Sequence, residues 1–128
     1  RPCVRVQDID RLIDETGFRS PGGLLASPVS DTLKAVSPGH EVTGTVARKS
    51  LWRAQTPQFF PVELLYEGLT RACAENLDCT DDAQALEYLG LKPRVVSGSS
   101  DNLKITRESD LPLAQAILDM QEQLPCSE

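Results

Sequence analysis

The stretch GGLLASPVSDTLKAVSPGHEVTGTVAR, residues 22–48, decides how the rest of the chain is read. It begins with GGLLASPV, a brief apolar run behind two glycines that is cut short at Pro28. Such a run is too short for a helix and suits a buried strand within a sheet. Beyond it, TLKAV and EVTGTVA are both β-prone and flank the turn signal SPGH, which predicts a hairpin or projecting arm. Upstream, DIDRLIDETG at 8–17 sets Ile9, Leu12 and Ile13 on one face, with Asp8 as N-cap and Gly17 as stop. That spacing predicts a short amphipathic helix.

Downstream, FFPVELLYEGLTRACAEN from Phe59 offers Pro61 at a first helical turn and Val62, Leu65, Leu69, Ala72 and Cys73 at three- and four-residue spacing. Thr80 is placed to cap the next helix, with Asp81 and Asp82 at the positive end of its dipole, Ala83, Leu86 and Leu89 inward and Gly90 at its end. PRVVSG and NLKIT read as two short strands. Ser109 then caps a last helix carrying Leu113, Ile117, Leu118 and Leu124, with Pro112 tolerated in its opening turn. Strands alternating with helices predict an α/β layered fold whose sheet is largely parallel, the arm being an antiparallel embellishment.

A chain of 128 residues fits one domain, and 40% hydrophobic with 25% charged residues is ordinary globular composition. Thirteen basic against nineteen acidic residues leave a net charge of −6, which opposes the phosphate backbone and argues against nucleic-acid binding. No apolar run approaches the length of a bilayer span, and RPCVRVQDID has no signal-peptide centre, so a cytoplasmic chain with no membrane partner is expected. Cys3, Cys73, Cys79 and Cys126 include no CxxC pair, and His40 is the single histidine; reduced thiols are expected rather than a zinc or disulfide framework.

Motifs for familiar chemistries are missing. There is no GxSxG, Walker loop or GxGxxG, and the pair Gly22-Gly23 has no following lysine. His40 belongs to a turn, and Asp81-Asp82 is explained by a helix start. Polar residues remain at element ends: Thr32 and Arg48 bracketing the arm, QTPQ at 55–58, Thr80, and Asn102 with Lys104. Each has a plain structural reading, as strand residue, cap, turn or solvated charge. In open α/β sheets, ligands also gather beyond the carboxyl ends of strands, where such residues would lie.

RPCV at the start, SPVSDTLK at 27–34, RKSLWRAQTPQFF at 48–60, TDDAQALEYLG at 80–90 and DNLKIT at 101–106 together resemble the 2-C-methyl-D-erythritol 4-phosphate cytidylyltransferases of non-mevalonate isoprenoid biosynthesis. The resemblance implies a three-layer, nucleotidyltransferase-type (Rossmann-like) mixed sheet with residues 29–50 as a dimerisation β-arm. It implies transfer of CMP from CTP to methylerythritol phosphate, with magnesium and a homodimer. Arg1, Thr32 and Arg48 correspond to holders of the acceptor phosphate, the last two reaching a partner's site; Thr56 and Thr80 correspond to hydroxyl ligands; Lys104 corresponds to the lysine on the α-phosphate of CTP. The family's glycine-rich triphosphate loop and its magnesium-binding aspartate have no counterpart here, so residues 1–128 are read as the C-terminal portion of the enzyme domain. Two alternatives stand beside this: a non-catalytic, dimerising sugar-phosphate-binding remnant, and a cytidylyltransferase for a related pentitol phosphate.

Overall fold

The structure, a computed structural model, describes residues 1–17 and 21–123. In chain order its elements are α1 (Val6–Thr16), β1 (Gly23–Pro28), β2 (Leu33–Val36), β3 (Val42–Val46), β4 (Trp52–Phe59), α2 (Val62–Ala74), α3 (Asp82–Tyr88), β5 (Arg94–Ser97) and α4 (Asp110–Gln123). β1 is the middle strand of a three-stranded sheet ordered β4-β1-β5, and β2 and β3 form a separate two-stranded sheet. The apolar run thus becomes the buried central strand and the residues around SPGH become the arm, as the sequence predicts.

The sheet is mixed rather than largely parallel. β4 runs antiparallel to β1, from Gly23↔Phe59 to Pro28↔Trp52, and β5 runs parallel to it, from Gly23↔Arg94 to Ala26↔Ser97. The connections explain this. Between β1 and β4 the chain only travels out along the arm and back, which reverses its direction; β5 is reached after α2 and α3, a crossover long enough to restore it. The arm's base is tied by Val29 N–H donating to the Leu51 carbonyl at 3.1 Å. At its tip His40 takes a φ of 62° and donates its N–H to the Ser37 carbonyl at 2.9 Å.

Two small apolar clusters hold the described residues together. In one, Leu12 of α1 meets Leu25 and Val96 of the sheet, with Phe59 beside them; in the other, α4 packs Ala114 and Ile117 on Cys3, with Leu103, Ile105 and Leu118 around them. α2 and α3 cross at Gly68, where an added Cβ would come within 2.4 Å of the Ala85 carbonyl oxygen, so only glycine fits. None of the described helices is long and apolar enough to cross a membrane.

Several local expectations are corrected. α1 begins at Val6 with Arg5 in the cap position, so Asp8 is not the cap. Asp8 lies buried in the first turn, accepting from Ser99 N–H at 2.9 Å and from Arg11 Nη1 at 3.1 Å. Ile13 is exposed, leaving Leu12 as the helix's buried apolar residue. α2 buries Gly68 and Ala72 rather than Val62, Leu69 or Cys73, because its neighbour is the closely approaching α3. Asp81, not Thr80, caps α3, its carboxylate accepting from Gln84 N–H at 3.0 Å. QTPQ is no turn but the middle of β4, and NLKIT is no strand: Leu103 and Ile105 face the α4 cluster without a ladder partner. At the start of α4, Asp110 rather than Ser109 takes the free amides, those of Thr106 and Arg107, each at 2.9 Å. Leu113 is exposed, and Leu124 and Cys126 lie outside the described residues.

Candidate active site

Strand β4 builds one wall of a cleft, and the segment 98–106 builds the other. Gln55 is buried and donates its side-chain amide to the Ser99 carbonyl at 3.0 Å; Asn102, 1% exposed, donates its own to the Thr56 carbonyl at 2.8 Å. These two amides stitch the walls together. Arg1 lies across the join, donating Nη2 to the Ala54 carbonyl at 3.2 Å and Nη1 to the Asn102 carbonyl. A third wall is the start of α3. Gln58 on β4 donates to the Asp81 carboxylate at 3.0 Å and accepts from Ala83 N–H at 2.9 Å, which docks the helix on the strand. Thr80, just before that helix, donates N–H and Oγ to Gln84 Oε1 at 2.8 and 2.9 Å.

These walls enclose a cleft of about 470 Å³ lined by Arg1, Gln55, Thr56, Thr80, Asp81 and Lys104 among others. Four of the six residues singled out in the sequence, Arg1, Thr56, Thr80 and Lys104, therefore meet in one place although they are scattered from the first residue to the 104th. Thr32 and Arg48 do not join them: both are exposed at the base of the arm and line neither this cleft nor the smaller cavity beside it. That second cavity, of about 290 Å³, shares Arg1, Ala54, Gln55 and Lys104 with the cleft. Burial, and then the like charge of Arg53, pull Arg1 below the ordinary arginine value, yet a guanidinium that starts so high keeps its proton at neutral pH.

The arrangement, two cations and two threonines on the lining of one cleft, suits an anionic, hydroxyl-bearing ligand. Among the described residues Asp81 is the only carboxylate lining the cleft, and it is engaged by Gln84 and Gln58; no group of three His, Cys, Asp or Glu among them is placed to hold a metal, so by themselves they make no magnesium ligand set. No cysteine among the described residues lines either cavity; burial and then Asp81 and Asp82 push the Cys79 thiol up, while burial and then Asp101 do the same to Cys3. Gln55 and Gln58 are site residues that sequence reasoning took for a turn. No apolar alternation marks QTPQ as a strand in the sequence; in the structure Gln55 is buried and Thr56 exposed, and both line the cleft.

A three-stranded mixed sheet flanked by helices, with cations and hydroxyls converging at one edge, defines an α/β nucleotidyltransferase-type fold. Solved structures of that class superpose well. The 2-C-methyl-D-erythritol 4-phosphate cytidylyltransferase (IspD) of Francisella tularensis is 38% identical with a TM-score of 0.83, over 91% of this chain and 55% of that one. The Thermus thermophilus enzyme gives 34% and 0.76 over 91% and 56%. Among curated relatives, the cytidylyltransferase of Cronobacter sakazakii is 50% identical over 115 residues, 89% of this chain and 49% of the relative. That of Yersinia pseudotuberculosis is 47% identical over 125 residues, 97% and 52% respectively. The family model for 2-C-methyl-D-erythritol 4-phosphate cytidylyltransferase matches residues 1–120, and the chain belongs to that family. It spans about half the length of the curated relatives it matches.

Proposed function

We propose that this chain carries the acceptor side of a cytidylyltransferase that joins CMP from CTP to 2-C-methyl-D-erythritol 4-phosphate and releases pyrophosphate, in the cytoplasm, for isoprenoid biosynthesis. The observation that carries the proposal is the convergence of Arg1, Thr56, Thr80 and Lys104 on one cleft. In the reaction, an oxygen of the acceptor's phosphate dianion attacks the α-phosphorus of CTP. The bond to the bridging oxygen breaks, and pyrophosphate leaves with the electron pair; no proton need be removed from the attacking group. The protein's work is then positioning and charge. Lys104 stabilises the charge gathering on the α-phosphate as a mobile ammonium, Arg1 grips phosphate at two points, and Thr56 and Thr80 meet the acceptor's hydroxyls. Magnesium is expected for such a reaction, but the described residues offer it no ligand set, and no step here runs through it.

The arm, residues 29–50, is proposed to pair two copies, bringing Thr32 and Arg48 to the partner's acceptor phosphate. Its support is the exposure of Val36, Val42 and Val46, apolar residues on a two-stranded sheet that a second copy would cover. A second reading is a dimerising module that binds the sugar phosphate without processing it. Pyrophosphate release from CTP and methylerythritol phosphate separates the two, measured for this chain and again with the complementary half of a relative supplied. Release in either arrangement supports the transferase. Binding of methylerythritol phosphate with no release in both arrangements favours the module.

A further inference from the structure

The smaller, 290 Å³ cavity shares Arg1 and Lys104 with the cleft, but its Arg53 and Ser27 have no part in the proposed reaction. Three cations line it, Arg1, Arg53 and Lys104, together with the hydroxyls of Ser27, Ser100 and Thr106, and no carboxylate does. The larger cleft, by contrast, carries Asp81. None of the three cations forms an ion pair among the described residues, whose salt bridges join Arg5 to Asp101, Arg11 to Asp8, Arg71 to Glu75 and Arg94 to Glu15. Like charges gathered without a counter-ion repel one another, and the low local dielectric of a cavity sharpens that repulsion. Arg53 is held in place: its Nη2 donates to Ser27 Oγ at 3.2 Å, and Ser27 is 4% exposed. A hydroxyl that accepts from a guanidinium keeps its own proton to donate, so the pair presents adjacent donors and no competing acceptor charge. The volume lies at the lower bound of ligand pockets, about 300 Å³, and suits a small polyatomic anion with its water.

We infer that Arg53, held by Ser27, is a further phosphate-gripping residue of this cavity, beside Arg1 and Lys104. The inference deepens the reading above and rests on it only for where the phosphate comes from. The acceptor's monoester and the nucleotide's polyphosphate share the same recognition chemistry, and the test distinguishes them.

The 128-residue chain is titrated calorimetrically with inorganic phosphate and with pyrophosphate at low ionic strength. Arg53→Gln is expected to weaken binding by roughly 10-fold or more, the scale of losing a hydrogen bond to a charged group. Arg53→Lys, which keeps charge but not the two-point grip, is expected to lose less. Arg71→Gln, on the outer face of α2, should bind as the parent does. A loss larger for inorganic phosphate assigns the cavity to the monoester, and one larger for pyrophosphate assigns it to the nucleotide. Binding by Arg53→Gln no weaker than by Arg71→Gln overturns the inference, as does a parent chain that binds neither anion. If circular dichroism shows Arg53→Gln unfolded, the same criterion applies to Arg53→Lys. Neither titration involves CMP transfer, so a chain that binds phosphate through Arg53 but never supports transfer removes the proposed function and leaves this subsite standing.

Discussion

β1 and β3 are both short strands, yet five of six β1 positions are buried whereas every β3 position is exposed. β1 has a strand on each side and α1 against it; the arm is one two-stranded ladder, with Val42 64% exposed and Val36 57% exposed. A lone hairpin is marginal in water, since its single ladder leaves both faces wet. Backbone preference therefore tells where strands run, but not what holds them. The central strand is stabilised by burial within the chain, whereas the arm's ladder leaves its apolar side chains to whatever it meets.

That contrast can be broken or sharpened by substitution. The largest effect is expected from Leu25→Ala, which removes a fully buried side chain between α1 and the sheet and should cost about 2–5 kcal/mol in urea unfolding. Val42→Ala on the arm should stay within about 0.5 kcal/mol for an isolated chain; equal losses at the two positions would mean the arm is covered in solution. Next, Lys104→Ala in the intact enzyme should lower turnover by roughly 100-fold, with a smaller change in KM, as for loss of a transition-state donor. Mixing that variant with Arg48→Ala should restore part of the activity if sites draw on both subunits, and no recovery would detach the arm from the cleft. Asp81→Ala should cost about 1 kcal/mol as a lost helix cap, seen in thermal unfolding. The smallest effect concerns Asp110, whose carboxyl is held below its ordinary value by the Thr106 amide and then that of Arg107. A depressed carboxyl contributes stability that is full above the unfolded-state value and is lost as pH falls through the folded-state value. Asp110→Asn should accordingly lower Tm slightly at neutral pH and converge on the parent as pH falls, which flattens the acid side of the Tm–pH curve.

What could be read in the sequence follows the same division. The central strand, the arm and the three later helices were legible as elements from apolar spacing and turn residues, although their caps and buried faces were not. β4 was not, since Gln55, Thr56 and Gln58 make it polar where it faces the cleft, Pro57 interrupts it, and its register with β1 shifts between Leu24 and Ala26. NLKIT failed in the opposite sense: Leu103 and Ile105 alternate as in a strand, but the alternation serves the α4 cluster. Of the six candidate residues, all came from motif resemblance rather than from periodicity. Arg53 was missed because a lone arginine beside a tryptophan carries no pattern, and its meaning arises only when Ser27 is found next to it.

The crossing of α2 and α3 has a consequence for the cleft that neither helix's own residues reveal. Gly68 lines neither cavity, and a methyl group there would collide with the Ala85 backbone. Because Gln58 and Asp81 fasten the head of α3 to β4, pushing its middle outward must swing the helix about that fastening and tilt Thr80 relative to Lys104. The width of the cleft thus depends on a glycine behind it, whose missing side chain lets α2 approach α3.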